Sequence, residues 1–224
     1  MIAANDIRLA VFTASPAFCD WVQRFQVFFH SSVQTRWDKY KDKKKRSLSI
    51  CSKLLLYYTL ENLGIKLPDF KGLRYCNNGA AQIEGLSVEF NLSYHQHTIA
   101  IVVAKQAVGV DLEGHIRNRK FNRLPSFIQD RLAQCQIHQW NELEACAKYC
   151  KRGLGMLWDT QIPSAIQFKH IALGEEMDCC IAYEHSASVQ LQKVTEKKLA
   201  NYINKIKGDD QYDKVSGHLS ALAS

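Results

Sequence analysis

The hydrophobic and polar positions divide the chain into short, alternating elements. Asp6–Ala14, DIRLAVFTA, alternates well enough to predict a strand. Cys19–Phe29 reads as a helical turn or two. From Lys44 a helix is predicted, because Leu48, Cys51, Leu55 and Tyr58 follow the helical period and Gly64 suits a C-terminal stop. Pro68 and Asn77–Gly79 mark turns. LSVEFNLSY (Leu86–Tyr94) and TIAIVVAKQAVGVDLE (Thr98–Glu113) then read as strands, a hairpin turning near Tyr94–His97. Gly114 and the basic, polar connector Ile116–Arg123 make the best boundary in the chain.

The second half repeats this order. Helical patterns cover Phe127–Cys135 and Gln139–Cys150, and Gly153 and Gly155 end the latter. Ala165–Leu173 and Met177–His185 alternate as a strand pair, and Thr195–Lys207 is a further helix. From about residue 208 the tail has little apolar period and is expected to fray. Each half goes from helix to strand hairpin. The expectation is an α+β fold of two similar lobes, 1–113 and 114–224, packed as one unit.

Composition narrows the class. The 224 residues suffice for a sizeable core. The N-terminus shows no basic segment followed by a long apolar one, and the longest apolar runs are too short to span a bilayer, so a soluble cytoplasmic protein is expected. Without an export signal the eight cysteines are read as reduced thiols. Cys135-x-x-His138 and His95-x-His97 are possible zinc-ligand fragments, but scattered residues explain them more simply and no zinc site is expected. The net charge of +7 is concentrated in Arg36–Arg46, RWDKYKDKKKR. A solvated face, an acidic partner, a phosphorylated ligand, an anionic membrane or nucleic acid would each suit it. No nucleic-acid motif accompanies it.

Two constellations carry candidate chemistry. In a strand ending at Glu113, Asp111 and Glu113 point to the same side. They either stand in open water or share a cation, and oxygen ligands suit Mg²⁺. On a helix Trp140, Glu144 and Lys148 share one face at intervals of four; an ordinary Glu–Lys pair beside a core tryptophan is the simpler reading of that spacing alone.

Taken together, Phe90-Asn91-Leu92-Ser93-Tyr94-His95, Gly109-Val110-Asp111-Leu112-Glu113 and the run from Trp140 through Glu144 and Lys148 to Leu154 resemble the 4′-phosphopantetheinyl transferase superfamily, of the larger surfactin-synthetase-activator type. Arg46-Ser47-Leu48 is similar to that family's upstream segment, and the resemblance spans about Arg36 to Tyr183. It implies two pseudo-duplicated α+β lobes with the active site between them. The implied activity is transfer of the phosphopantetheine arm of coenzyme A to a serine of an acyl or peptidyl carrier protein. It further implies Mg²⁺ held by Asp111, Glu113 and Glu144, with Glu144 as base and Lys148 steadying the leaving phosphate. Arg46 and Ser47 would hold the 3′-phosphate, and Ser93 and Tyr94 would contact coenzyme A. The expected partner is an acidic carrier protein, with no nucleic acid and no membrane, and the chain is expected to act as a monomer.

The chain departs from the family pattern at several positions. Tyr94 stands where the family has a histidine that binds the 3′-phosphate, and His95 next door would face the other way on a regular strand. Gly79-Ala80-Ala81 lacks a lysine that contacts coenzyme A. Leu143 replaces a lysine, Lys151 replaces a glycine, and the connector from Glu113 to Trp140 is short. A weaker enzyme, an altered donor, or an inactive homologue that binds carrier protein or nucleotide all fit these changes. A basic nucleic-acid-binding protein using Arg36–Arg46 is the remaining reading.

Overall fold

Side-chain alternation along the strands sorts the chain into four layers. The computed structural model describes residues 3, 5–65, 72–75, 81–83, 85–114, 137–151, 162–175 and 177–207. In chain order the elements are β1 (Asp6–Thr13), α1 (Pro16–Val22), a 3-10 turn (Gln23–Phe28), α2 (Ser31–Asp38), α3 (Lys43–Asn62), β2 (Leu73–Tyr75), β3 (Ala81–Ile83), β4 (Glu89–His95), β5 (Thr98–Ala104), β6 (Gly109–Gly114), α4 (Ile137–Tyr149), β7 (Gln167–Ala172), β8 (Met177–Tyr183), β9 (Ser188–Val194) and α5 (Glu196–Lys207).

The first sheet has the order β4-β5-β1-β9 and the second β6-β8-β7. From β1 and β5, Ala10, Phe12, Ile99, Ile101 and Val103 face α1, α3 and α5. Their alternates Ile7, Leu9, Val11, Ala100 and Val102 face the second sheet, where they meet Val110, Leu112, Cys179 and Ile181. The far side of the second sheet, with Cys180 and Ala182, carries Ala145 and Cys146 of α4. The result is helices, sheet, sheet, helix. An α+β fold is therefore present, and the buried carboxylates Asp111, Glu113 and Asp178 stand on the α4 side of the second sheet.

Local chemistry explains the element ends. Ser15 caps α1, its hydroxyl accepting from Phe18 N, and Pro16 sits where a helix needs no N–H. Asp42 caps α3 by accepting from the Lys44 and Lys45 amides. Gly64 follows α3 with φ +71°, as its predicted stop requires. The predicted hairpin is β4 and β5, antiparallel from Glu89↔Ala104 to His95↔Thr98. The apolar run after it does not continue as one strand. It breaks at Lys105 and Gln106, and β6 joins β8 in the other sheet. The sequence reading missed α2 and β9. Only three of the seven β9 residues are apolar, and the strand is held by parallel pairing with β1 from Asp6↔Ser188 to Phe12↔Val194.

Strand, helix and hairpin occur twice, as β1–α3–β4–β5 and β6–α4–β7–β8. In each set the second hairpin strand pairs antiparallel with the leading strand. The expected lobe boundary at 113/114 is crossed twice: β6 lies in the second sheet and β9 in the first. The predicted helix Phe127–Cys135, the connector Ile116–Arg123, the turns at Pro68 and Asn77–Gly79, the stops Gly153 and Gly155, and the tail from 208 lie outside the described residues. Among the described residues no helix is long and apolar enough to cross a membrane.

Candidate functional site

The site begins with a glycine. A Cβ on Gly109 would lie 2.0 Å from the Ala145 carbonyl oxygen and 2.6 Å from the Tyr149 amide nitrogen. Only a bare backbone lets β6 approach α4 this closely. Asp111 and Glu113 follow at strand spacing, on the side of β6 opposite Val110 and Leu112. Both carboxylates are buried.

The helix supplies the other half. Glu144 brings a carboxylate oxygen to Asp111 and Glu113, the three ligand atoms lying within 4.8 Å of one another. One turn later Lys148 Nζ donates to Asp111 Oδ1 at 2.6 Å and to Ser93 Oγ at 2.9 Å, and Ser93 Oγ donates to the same Asp111 oxygen at 3.0 Å. The second Asp111 oxygen, Oδ2, is buried with no hydrogen-bond partner among the described residues. A buried carboxylate oxygen without a donor is costly, and a cation shared with Glu113 and Glu144 would satisfy it. The all-oxygen donor set suits Mg²⁺ better than a softer ion.

Beside these groups opens a cavity of about 740 Å³, reached by Lys148 and lined by Arg36, Lys53, Arg74, Tyr75 and Tyr94 among others. Two of its cations are packed on an aromatic ring: the Arg36 guanidinium lies 4.2 Å from the Tyr75 centroid and the Lys53 ammonium 5.7 Å. Lys53 is only 3 % exposed. Burial, with the Arg36 charge nearby, brings its ammonium down to about 7. Burial pushes the Tyr94 phenol up, so it faces the cavity as a neutral donor.

The structure thus brings Ser93, Asp111, Glu113, Glu144 and Lys148 together and leaves Tyr94 on the adjoining cavity. Arg46 and Ser47 are placed differently. Arg46 pairs with Asp38 at 2.8 Å and donates to Gln26, while Ser47 is buried and donates to the Lys43 carbonyl at 3.1 Å. Neither lines the cavity. Sequence reasoning missed Lys53 and Arg74, and reached Arg36 only as the first residue of the basic run Arg36–Arg46. The available signal was Lys53 itself, one lysine in the otherwise apolar and small run SICSKLLLYY.

Two departures acquire a geometry. On β4 Tyr94 faces the cavity, while His95, on the opposite face, reaches Glu113 with Nδ1 3.5 Å from Oε2. Lys151 has φ +54°, just past the end of α4, where a glycine is the unstrained residue. Its ammonium pairs with Glu89 at 2.8 Å. Ala80 lies outside the described residues. No protein-family model matches the chain, and no curated protein matches it.

Proposed function

We propose that the chain transfers the 4′-phosphopantetheine arm of coenzyme A to a serine of an acidic acyl or peptidyl carrier protein. The observation that carries this reading is the trio Asp111, Glu113 and Glu144 beside a cavity lined by five cations, Arg36, Lys53, Arg74, Lys148 and Lys151, against one carboxylate, Glu89, which Lys151 neutralises. That pairing suits a ligand bearing a pyrophosphate and a further phosphate.

Mg²⁺ would be held by Asp111, Glu113 and Glu144, and would supply neutralisation of the pyrophosphate and polarisation of its phosphorus. Glu144 takes the carrier serine proton, directly or through water. The serine oxygen forms a bond to the arm's phosphorus, and the pyrophosphate P–O bond breaks to release adenosine 3′,5′-bisphosphate. Lys148 stabilises charge on the departing phosphate, and Ser93 holds the Lys148 ammonium toward it. Arg36, Lys53 and Tyr94 receive the nucleotide's phosphate end. The resemblance assigns Arg46 and Ser47 to the 3′-phosphate as well; from where they stand, off the cavity lining, reaching it would require Arg46 to leave Asp38 and Ser47 to leave the Lys43 carbonyl. Lys43, Lys44 and Lys45 stand exposed on the first turn of α3 and give the acidic carrier a docking charge.

The recurrence of strand, helix and hairpin supports two pseudo-duplicated lobes, with β6 and β9 exchanged between them and the site at their junction. The proposal places the chain in the cytoplasm as a monomer. The test mixes apo carrier proteins, coenzyme A and Mg²⁺ with the chain and weighs the carriers by mass spectrometry. A gain of one phosphopantetheinyl arm supports transfer. Carriers that bind but gain no mass mark a binding module and overturn it.

A further inference from the structure

A second cluster lies on the same side of the second sheet, next to the carboxylate trio but with different ligand residues. Asp178 of β8 stands directly across from Glu113 of β6, and His170 of β7 stands across from Cys180, two residues on. Asp178, Cys180 and His170 therefore share the face toward α4. From α4, His138, Asn141 and Glu142 project onto the cluster at intervals of three and four. His138, His170 and Asp178 each bring one ligand atom within 4.8 Å of the other two.

The hydrogen bonds around this trio orient it. Asp178 Oδ2 lies 2.7 Å from His170 Nδ1 and 3.3 Å from His138 Nδ1. Asn141 Nδ2 donates to Asp178 Oδ2 at 2.9 Å. The other nitrogen of His170, Nε2, lies 3.1 Å from Glu142 Oε1. Without a metal the His170 ring bridges the two carboxylates, donating from Nδ1 to Asp178 and from Nε2 to Glu142; an ion that displaces the Nδ1 proton would meet a lone pair already aimed by the Nε2–H bond to Glu142. That carboxylate–histidine arrangement is how proteins hold a metal-binding imidazole. Asp178 is buried, whereas the His138 side chain is 53 % exposed, so an ion has a path in from solvent.

We propose that His138, His170 and Asp178 form a Zn²⁺ site, with Glu142 and Asn141 orienting its ligands. Two imidazoles and one carboxylate suit Zn²⁺ and disfavour Mg²⁺, and three protein ligands leave a fourth position for water or an outside ligand. The site is separate in its ligands from the Asp111–Glu113–Glu144 trio and does not rest on the transferase reading.

The test titrates Zn²⁺ into metal-stripped chain by calorimetry, with excess Mg²⁺ present throughout. The expected result is one Zn²⁺ per chain that Mg²⁺ does not displace. E142Q should weaken binding by roughly 10–100-fold, the usual effect of losing a ligand's hydrogen-bond partner. H138Q, at an exposed position that spares the fold, should weaken it further. D111N should bind Zn²⁺ as the parent does. Zn²⁺ should also raise the thermal midpoint of the parent and not that of H138Q. Absence of saturable Zn²⁺ binding overturns the proposal. So does binding that survives H138Q and E142Q unchanged, which would assign the ion to cysteines instead.

Discussion

Lys148 Nζ lies 2.6 Å from Asp111 Oδ1, joining the C-terminal part of α4 to a carboxylate that is only 1 % exposed. The pair links the stability of the site to its chemistry. Lys148→Met removes a charge-assisted hydrogen bond worth about 1.5–3 kcal/mol and leaves Asp111 buried without its cation. Asp111→Ala and Glu144→Gln should each abolish transfer while far-UV circular dichroism stays unchanged. Near-normal turnover of either variant at limiting Mg²⁺ would refute the shared-metal assignment.

Gly109→Ala tests the approach of β6 to α4. The new Cβ meets backbone atoms, which cannot rotate away as a flexible side chain can. We expect a loss of about 1–3 kcal/mol, read from the denaturant midpoint. Displacing α4 also moves Glu144 relative to Asp111, so Mg²⁺ affinity should fall in the same variant. Parent-like affinity and stability would show that the gap at Gly109 plays no part.

Lys53 gives a pH signature with a defined sign. Its folded value of about 7 lies below the ordinary lysine value. Between about pH 7 and 10 the unfolded chain holds a proton that the folded chain lacks, so stability rises with pH across that window. Below pH 7 both states are protonated and the penalty, on the order of a few kcal/mol, is fully present. Lys53→Met should therefore stabilise the free protein most at pH 6.5 and least near pH 10. An anion in the cavity restores the charge, so coenzyme A binding at pH 8 should take up a fraction of a proton. Calorimetry in buffers of different ionisation enthalpy measures it. Lys53→Met should abolish the uptake.

Tyr94 and His95 separate by face. Charge-assisted hydrogen bonds are worth roughly 1.5–3 kcal/mol against about 1 for neutral ones, so tyrosine in place of histidine weakens a phosphate contact by up to about tenfold. Tyr94→His should recover part of this for coenzyme A and none of it for 3′-dephospho-coenzyme A. His95→Ala acts next to Glu113 and should change Mg²⁺ affinity with no preference between the two ligands. Equal gains for both ligands in Tyr94→His would remove the 3′-phosphate from that end of the cavity.

The lysines at the start of α3 are the proposed docking charge. Replacing Lys43, Lys44 and Lys45 by Ser should raise the KM for the carrier and flatten its salt dependence. Coenzyme A affinity, measured alongside, should hold. An unchanged salt dependence would place the docking surface elsewhere.

What the sequence determined by itself was local. Period and stop residues place α3 and its end at Gly64. Alternation places β1, β4, β5, β7 and β8. Strand spacing puts Asp111 and Glu113 on one side, and helical spacing aligns Glu144 with Lys148. These features are legible because they depend on neighbours a few residues apart. Tertiary structure decided the rest. The run after β5 looked like one continuing strand, yet β6 leaves for the other sheet, and its burial under α4 turns a surface-like D-x-E into a buried carboxylate pair. β9 has too few apolar residues to declare itself and exists through its pairing with β1. Arg46 and Ser47 stood out by resemblance, while Arg36 and Lys53 reach the cavity because α2 and α3 pack against Tyr75. His138 looked like half of a pair with Cys135; its partners are His170 and Asp178, about 30 to 40 residues further along the chain and brought beside it by strand register. Contacts across such separations follow from which faces the layers bury, a property of the whole fold and of no single segment.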